Sequence, residues 1–246
     1  MKAAPEAQKR LLDLAELDSA ADRLAHRRRT LPELAEIDEQ SKRYAKLATE
    51  VIEAETEASD LAREQAKAES DVDTVRARAD RDQKRLDSGA VTSPKDLAGL
   101  QSEIASLHRR QGDLEEVVLE IMERREAADS KVADLRAKRD ELAATRTDAE
   151  DRRDAALAEI DKEAAEVQTR RAAVAGEIPA DLLGLYGKLR DQYGVGAAML
   201  RGGRCQGCKV ALSIAEMNQI KAAPHDEVVR CEECRRILVR TAESGL

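Results

Sequence analysis

The chain has 246 residues, 42% hydrophobic and 37% charged, with three Tyr and no Phe or Trp. A single enzyme-sized core needs bulky aromatics, so this composition argues against one compact globule, and the formal net charge of -8 argues against a protein that coats nucleic acid by bulk electrostatics. Ala accounts for 43 residues, which favours helices over cores, and charged, Ala-rich composition is that of long helices in a coiled coil. No apolar run reaches the ~18 residues that span a bilayer, and the start leads into charged sequence, so a soluble, cytoplasmic protein without membrane contact is expected.

In chain order, Leu11, Leu14, Leu17, Ala21, Leu24 and Leu31 form a first apolar stripe. Thr30-Leu31-Pro32-Glu33 reads as a helix restart with a capping box, predicting a kink near 30–32. A longer stripe follows through Leu47, Val51, Ala54, Ala58, Leu61, Gln65, Ala68, Val72, Val75, Ala79, Asp82 and Leu86. Residues 87–96 hold the one good turn before residue 176, with Ser93 as N-cap and Pro94 at the first helical position. From Leu97 the three-four spacing runs unbroken to Val174, about eleven heptads with Arg125, Arg139, Arg146 and Arg153 among the seam positions. Two near-equal arms around one turn predict an antiparallel coiled-coil hairpin over 1–175, a rod of roughly 120 Å with its turn near 88–95. If the turn centres near residue 90 or 91, opposed residues have numbers adding to about 181.

Gly176 and Pro179 end the second arm, and residues 176–194 read as a connector with a short helix closed by Gly194. Residues 195–246 change character. Short strands are expected near 197–200, 227–230 and 237–240, and Ser213 with Glu216 opens a small helix through a capping box. About 50 residues without aromatics cannot fold on burial alone. All four cysteines lie here, as Cys205-Gln206-Gly207-Cys208 and Cys231-Glu232-Glu233-Cys234. Paired Cys-x-x-Cys turns close a tetrahedron around one structural Zn²⁺, with ligands Cys205, Cys208, Cys231 and Cys234. A mononuclear iron site shares the spacing, but such sites are wrapped in aromatics and only Tyr193 is near. Four thiolates leave no open coordination position, and no catalytic constellation stands out, so a non-enzymatic protein is expected. His26 and His108 read as solvated, and His225 would be a ligand only if a cysteine were unused.

The turn Val91-Thr92-Ser93-Pro94-Lys95-Asp96-Leu97, the segment Ile178-Pro179 with Leu182, Leu183 and Tyr186, and the end from Cys205-x-x-Cys208 to Cys231-x-x-Cys234-Arg235-Arg236-Ile237 resemble the bacterial family that joins a coiled-coil hairpin to a C4-type zinc ribbon. The resemblance implies a mainly α fold with a small α+β ribbon over 195–246, and a non-enzymatic adaptor. Members in flagellated or type III secreting bacteria are described as binding sigma-54, secretion components and RNA, so transcription or secretion machinery are the implied protein partners. The Ala and Arg richness is similar to that of actinobacterial members. The family pattern has Gly after the fourth cysteine where this chain has Arg235; a left-handed backbone there costs a non-Gly residue roughly 1 kcal/mol.

Charge divides unevenly: residues 182–246 hold ten Lys or Arg against seven Asp or Glu, leaving the acid in the first part. Arg201, Arg204, Lys209, Arg235, Arg236 and Arg240 cluster around the cysteine turns and read either as a phosphate-contacting patch for RNA, DNA or a signalling nucleotide or as solvation of a small domain. At the 181 register Arg27, Arg28 and Arg29 lie level with Arg152 and Arg153, a second basic cluster that either seats such a ligand or is ordinary paired surface charge. The seams are compatible with a monomer or a homodimer.

Overall fold

The computed structural model describes residues 1–246. Helices α1 (Pro5–Arg29), α2 (Pro32–Asp87), α3 (Pro94–Gly176) and α4 (Ala180–Tyr193) precede strands β1 (Ala197–Arg201) and β2 (Arg204–Cys205), helix α5 (Ile214–Ala222), strands β3 (Val229–Arg230) and β4 (Ile237–Val239), and a 3₁₀ turn, Ala242–Ser244. The chain divides into two compact units, Ala35–Glu150 and the pair of segments Met1–Leu34 with Asp151–Leu246.

Within Ala35–Glu150, α2 and α3 pair antiparallel along the two predicted seams. Val51, Ala54, Leu61, Ala68 and Ala79 are buried on one side and Ile104, Ile121, Ala128, Val132 and Ala149 on the other. Alanines at these positions let the helices approach closely. The seam arginines keep their charge at its edge: Arg125 donates to Gln65 and pairs with Asp129, and Arg146 lies over the Tyr44 ring at 5.1 Å. Ion pairs tie the arms together through Arg124 with Glu64, Lys131 with Glu57 and Arg136 with Glu55.

These pairs correct the expected register, since their residue numbers add to 188–191 rather than 181. Arg78 with Glu103 alone keeps the lower sum, its guanidinium leaning toward the turn past Asp82. At the observed register the end of α2 lies level with about residue 102, so the first two turns of α3 run past it. Residues 88–93 bridge that overhang. Gly89 adopts φ +69 there, and Leu97 donates to the Ser93 carbonyl at 2.9 Å as α3 begins.

The other unit is built around α1. Leu11, Leu14 and Ala15 pack with Ile178, Leu182, Tyr186 and Leu189 and with one face of the sheet, Ala197, Ile237 and Val239. α1 ends in a way the sequence did not suggest. Thr30 caps its C-terminus, with both its amide and hydroxyl donating to the His26 carbonyl; α2 starts at Pro32, so Leu31 rather than Thr30 precedes it and the expected capping box with Glu33 does not form. α4 ends at Gly194, left-handed at φ +78, whose amide donates to Arg190. Two residues later Gly196 is required for space: a Cβ there would stand 2.5 Å from the Tyr186 carbonyl oxygen and 2.7 Å from its ring.

The four strands run in the order β2-β1-β4-β3, with β1 and β4 parallel and the other pairs antiparallel. Alternation splits the central strands between two cores. Ala197, Ile237 and Val239 face the helices, while Ala198, Leu200 and Leu238 face Cys205, Cys231 and Ile220 of α5. Met1 and Ala3 add to the β3 edge, Ala3 donating to Asp226 and Val228 donating to Met1.

Candidate metal centre

Two turns of the same design present the cysteines. In the first, the Cys205 amide donates to the Val210 carbonyl and the Lys209 amide returns to the Cys205 carbonyl. In the second, Cys231 donates to Arg236 and Arg235 to Cys231. Each turn closes through a left-handed residue directly after its second cysteine, Lys209 and Arg235, both at φ 63. Gly207 inside the first turn lies so close to the sheet that a Cβ would meet Ala198 Cβ at 3.0 Å.

The four sulfurs lie within 4.8 Å of one another, with Cys205 Sγ 3.8 Å from Cys234 Sγ and Cys208 Sγ 3.9 Å from Cys231 Sγ. A tetrahedron with Zn–S bonds of about 2.3 Å has edges of about 3.8 Å. The donor set and its spacing therefore fit Zn²⁺, and a C4 site of this kind holds one structural zinc ion. Burial pushes the Cys205 thiol up and the Cys231 thiol to about 12. At Cys234 burial acts in the same direction, but the amide and guanidinium of Arg236 and the neighbouring sulfurs outweigh it and bring the thiol down to about 7. Amides of Gly207 and Cys208 favour the Cys205 thiolate, and those of Glu233 and Cys234 favour Cys231. Buried thiols of this kind give up their protons when the metal binds. His225 is not part of the sulfur cluster; its carbonyl accepts from Gln8 and Arg240.

The basic residues around the turns have separate tasks. Arg236 donates to the carbonyls of Tyr193 and Val195 and reaches Cys234, a link from metal ligand to the end of α4. Arg240 donates to the carbonyls of Ile220, Ala223, Pro224, His225 and Glu227, binding α5 to the loop that follows it. Arg201 pairs with Glu243, and Lys209 donates to Gln206. Arg204 and Arg235 are exposed at the rim. The second basic cluster is not assembled as the 181 register required: Arg28 pairs with Asp161, Arg27 lies 3.5 Å from Glu163, and Arg153 pairs with Asp154. Arg27, Arg28 and Arg29 are therefore level with 161–163, about three turns from Arg152.

Sequence reasoning missed a buried charge cluster. Asp18, 2% exposed, accepts from the Tyr186 hydroxyl at 2.6 Å and from Arg171 Nε at 2.5 Å, with Arg190 Nε at 3.2 Å. It joins α1, α3 and α4 at one point. The signal was present: Asp18 falls four residues after Leu14 in the α1 stripe, and Arg171 four after Val167 in the α3 seam.

These features define a class, a coiled-coil helical hairpin protein with a closed four-cysteine zinc site on a small mixed sheet. The chain belongs to the CT398-like coiled coil hairpin domain family, which matches residues 14–194, and a C4-type zinc ribbon domain matches residues 204–238. An uncharacterized protein of Mycobacterium tuberculosis strain H37Rv is 40% identical over 240 residues, 98% of each chain. A solved structure from Mycobacterium smegmatis is 38% identical, covers 98% of this chain and all of its own, and superposes with a TM-score of 0.86. CT398 from Chlamydia trachomatis, 18% identical with 96% and 98% covered, shares the fold at a TM-score of 0.69.

Proposed function

We propose that the chain is a non-enzymatic adaptor that docks protein partners on its helical hairpin and uses the zinc ribbon as a second contact surface. The observation that carries this reading is the outward apolar surface left after the seams are satisfied. Val117, Leu119 and Met122 stand exposed within six residues of α3, and Ile214 stands 83% exposed at the start of α5. A zinc ion held by four thiolates has no open position, which suits a structural role. No helix is long and apolar enough to cross a membrane. The test is a photo-crosslinker at Leu119 or Ile214 in the zinc-loaded full chain, in extract of the native organism. Defined adducts that excess unlabelled chain competes away are expected, and transcription and secretion proteins are the first candidates to seek among them. No competed adduct from either position overturns the reading.

One observation favours a second reading, binding of a phosphate-bearing ligand. A concavity lined by Gln8, Lys9, Lys221, His225 and Arg240 has no Asp or Glu side chain in its wall. Binding of RNA, DNA or a nucleotide there weakens steeply with salt and falls in Lys9→Ala/Lys221→Ala. A full chain that binds none of these at low salt removes this reading.

A further inference from the structure

Within Ala35–Glu150, α2 and α3 leave a groove of about 460 Å³ lined by Val72, Val118 and Leu119 with Glu69, Asp73 and Glu115 at its rim. Leu119 is 60% exposed, and Met122, one turn on and on the same side of α3, is 45% exposed. Seam positions of a two-helix coil are buried by the facing helix, but these two side chains lie outside the seam. They present apolar surface to a third element.

The charge around the groove identifies that element. Residues 66–76 and 113–123, which face one another at this register, hold eight Asp or Glu against two cations, Lys67 and Arg76. Elsewhere on these helices carboxylates pair with cations, as in Arg124 with Glu64 and Lys131 with Glu57. At the groove, Glu69 and Glu115 are met instead by neutral amides, Gln65 and Gln111, each at 2.7 Å. The rim thus keeps its negative charge. A second copy of this chain docking through the same patch would set one acidic rim against another, which disfavours a symmetric dimer. An apolar floor between two parallel rows of side chains fits the apolar stripe of a helix, and the rim fits Lys or Arg flanking that stripe.

We propose that this groove is a docking site for a basic amphipathic helix of a partner protein, which lies along α2 and α3 as a third strand of the coil. The proposal rests on the adaptor reading and specifies where and with what chemistry the hairpin makes contact.

The experiment uses the zinc-loaded full chain and three synthetic peptides, assayed by fluorescence anisotropy. One carries Leu at heptad seam positions flanked by Lys and Arg, one is a scramble of the same composition, and one has Glu in place of the basic residues. Only the first is expected to bind. Leu119→Ser/Met122→Ser should weaken it at least tenfold with helicity unchanged, since both side chains are exposed. Glu69→Gln/Asp73→Asn/Glu115→Gln should weaken it and flatten its salt dependence. Failure of the first peptide to bind overturns the proposal, as does equal binding of the scramble or binding unaffected by Leu119→Ser/Met122→Ser. A concentration-dependent doubling of mass, lost in Leu119→Ser/Met122→Ser, would put a second copy in the groove and also overturn it. If the peptides fail while competed crosslinks from Ile214 persist in that variant, this site falls and the adaptor reading stands.

Discussion

Removing the Asp18 carboxylate tests how α1, α3 and α4 are held together. Asp18 is buried; Tyr186 and Arg171 donate to it, and Arg190 adds a second cation at 3.2 Å. Tyr186→Phe deletes one hydrogen bond to a charged acceptor, ordinarily about 1.5–3 kcal/mol. Two cations remain on the carboxylate, so the lower end, about 1.5 kcal/mol, is expected. Asp18→Ala leaves two guanidiniums, each about three-quarters buried, facing one another without a counter-charge, together with an unsatisfied phenol. Breaking such a pair costs about 3–5 kcal/mol, and the partial exposure of the arginines places this case near 3. Arg190 keeps Asp22 as a second partner, which limits the loss further. Urea unfolding followed by far-ultraviolet circular dichroism and by the tyrosine signal gives both values, and Asp18→Ala/Tyr186→Phe closes the cycle. An Asp18→Ala cost below about 1 kcal/mol, or costs of the two single variants that simply add, would refute the argument that these groups act as one buried cluster.

Metal analysis should find one zinc per chain, and a strong chelator should abolish the ribbon's folded signals while most helical ellipticity survives, because the hairpin seam does not involve the cysteines. Arg235→Gly relieves a left-handed non-Gly residue and should slow zinc release to a chelator, an effect of about 1 kcal/mol; an unchanged or faster release contradicts it. Ala58→Cys/Lys131→Cys, numbers adding to 189, should crosslink within one zinc-loaded chain, whereas Ala58→Cys/Glu123→Cys, adding to 181, should not. Burial raises the Tyr186 phenol above its ordinary value of 10, with the Asp18 carboxylate adding to the effect. Its contribution to stability is therefore complete below about pH 10 and is lost as pH climbs beyond that, because the unfolded phenol ionises first. Melting temperatures of wild type and Tyr186→Phe should converge above pH 10.

The helices and the metal centre were legible because their signals are local. A three-four repeat marks a buried stripe whatever it packs against, and two Cys-x-x-Cys turns fix a ligand set by spacing alone. The register of the arms was not. A heptad seam looks much the same after a slip of one repeat, and the gap between the expected 181 and the observed 188–191 is about that slip. What decides it is how residues 88–93 bridge the overhanging start of α3, which the turn residues do not encode in a readable way. Thr30 was misread for a related reason: its hydroxyl can serve either helix end, and it donates back to the carbonyl of His26. Among the basic residues, composition could not separate Arg236 and Arg240, consumed by backbone carbonyls, from Arg204 and Arg235, which stand at the rim. Arg235 itself was foreseen as the costly left-handed position, while Lys209, its counterpart in the first turn, was missed because nothing drew attention to the symmetry of the two turns.

The parallel pairing of β1 with β4 has a kinetic consequence. Ala197 and Ile237 are forty residues apart in sequence and side by side in the sheet, so their pairing carries a loop-closure cost before any strand contact compensates it. Each cysteine turn, by contrast, closes within a few residues and can take up zinc while the rest of the ribbon is unfolded. A metal ion held by the first turn and captured by the second draws the 22 residues between them into a closed loop, which brings β4 to β1 and leaves little chain entropy to lose. On these loop-closure costs, zinc capture by the two turns is expected to precede the pairing of β1 with β4, and the sheet face that meets α1 and α4 is expected to form after it.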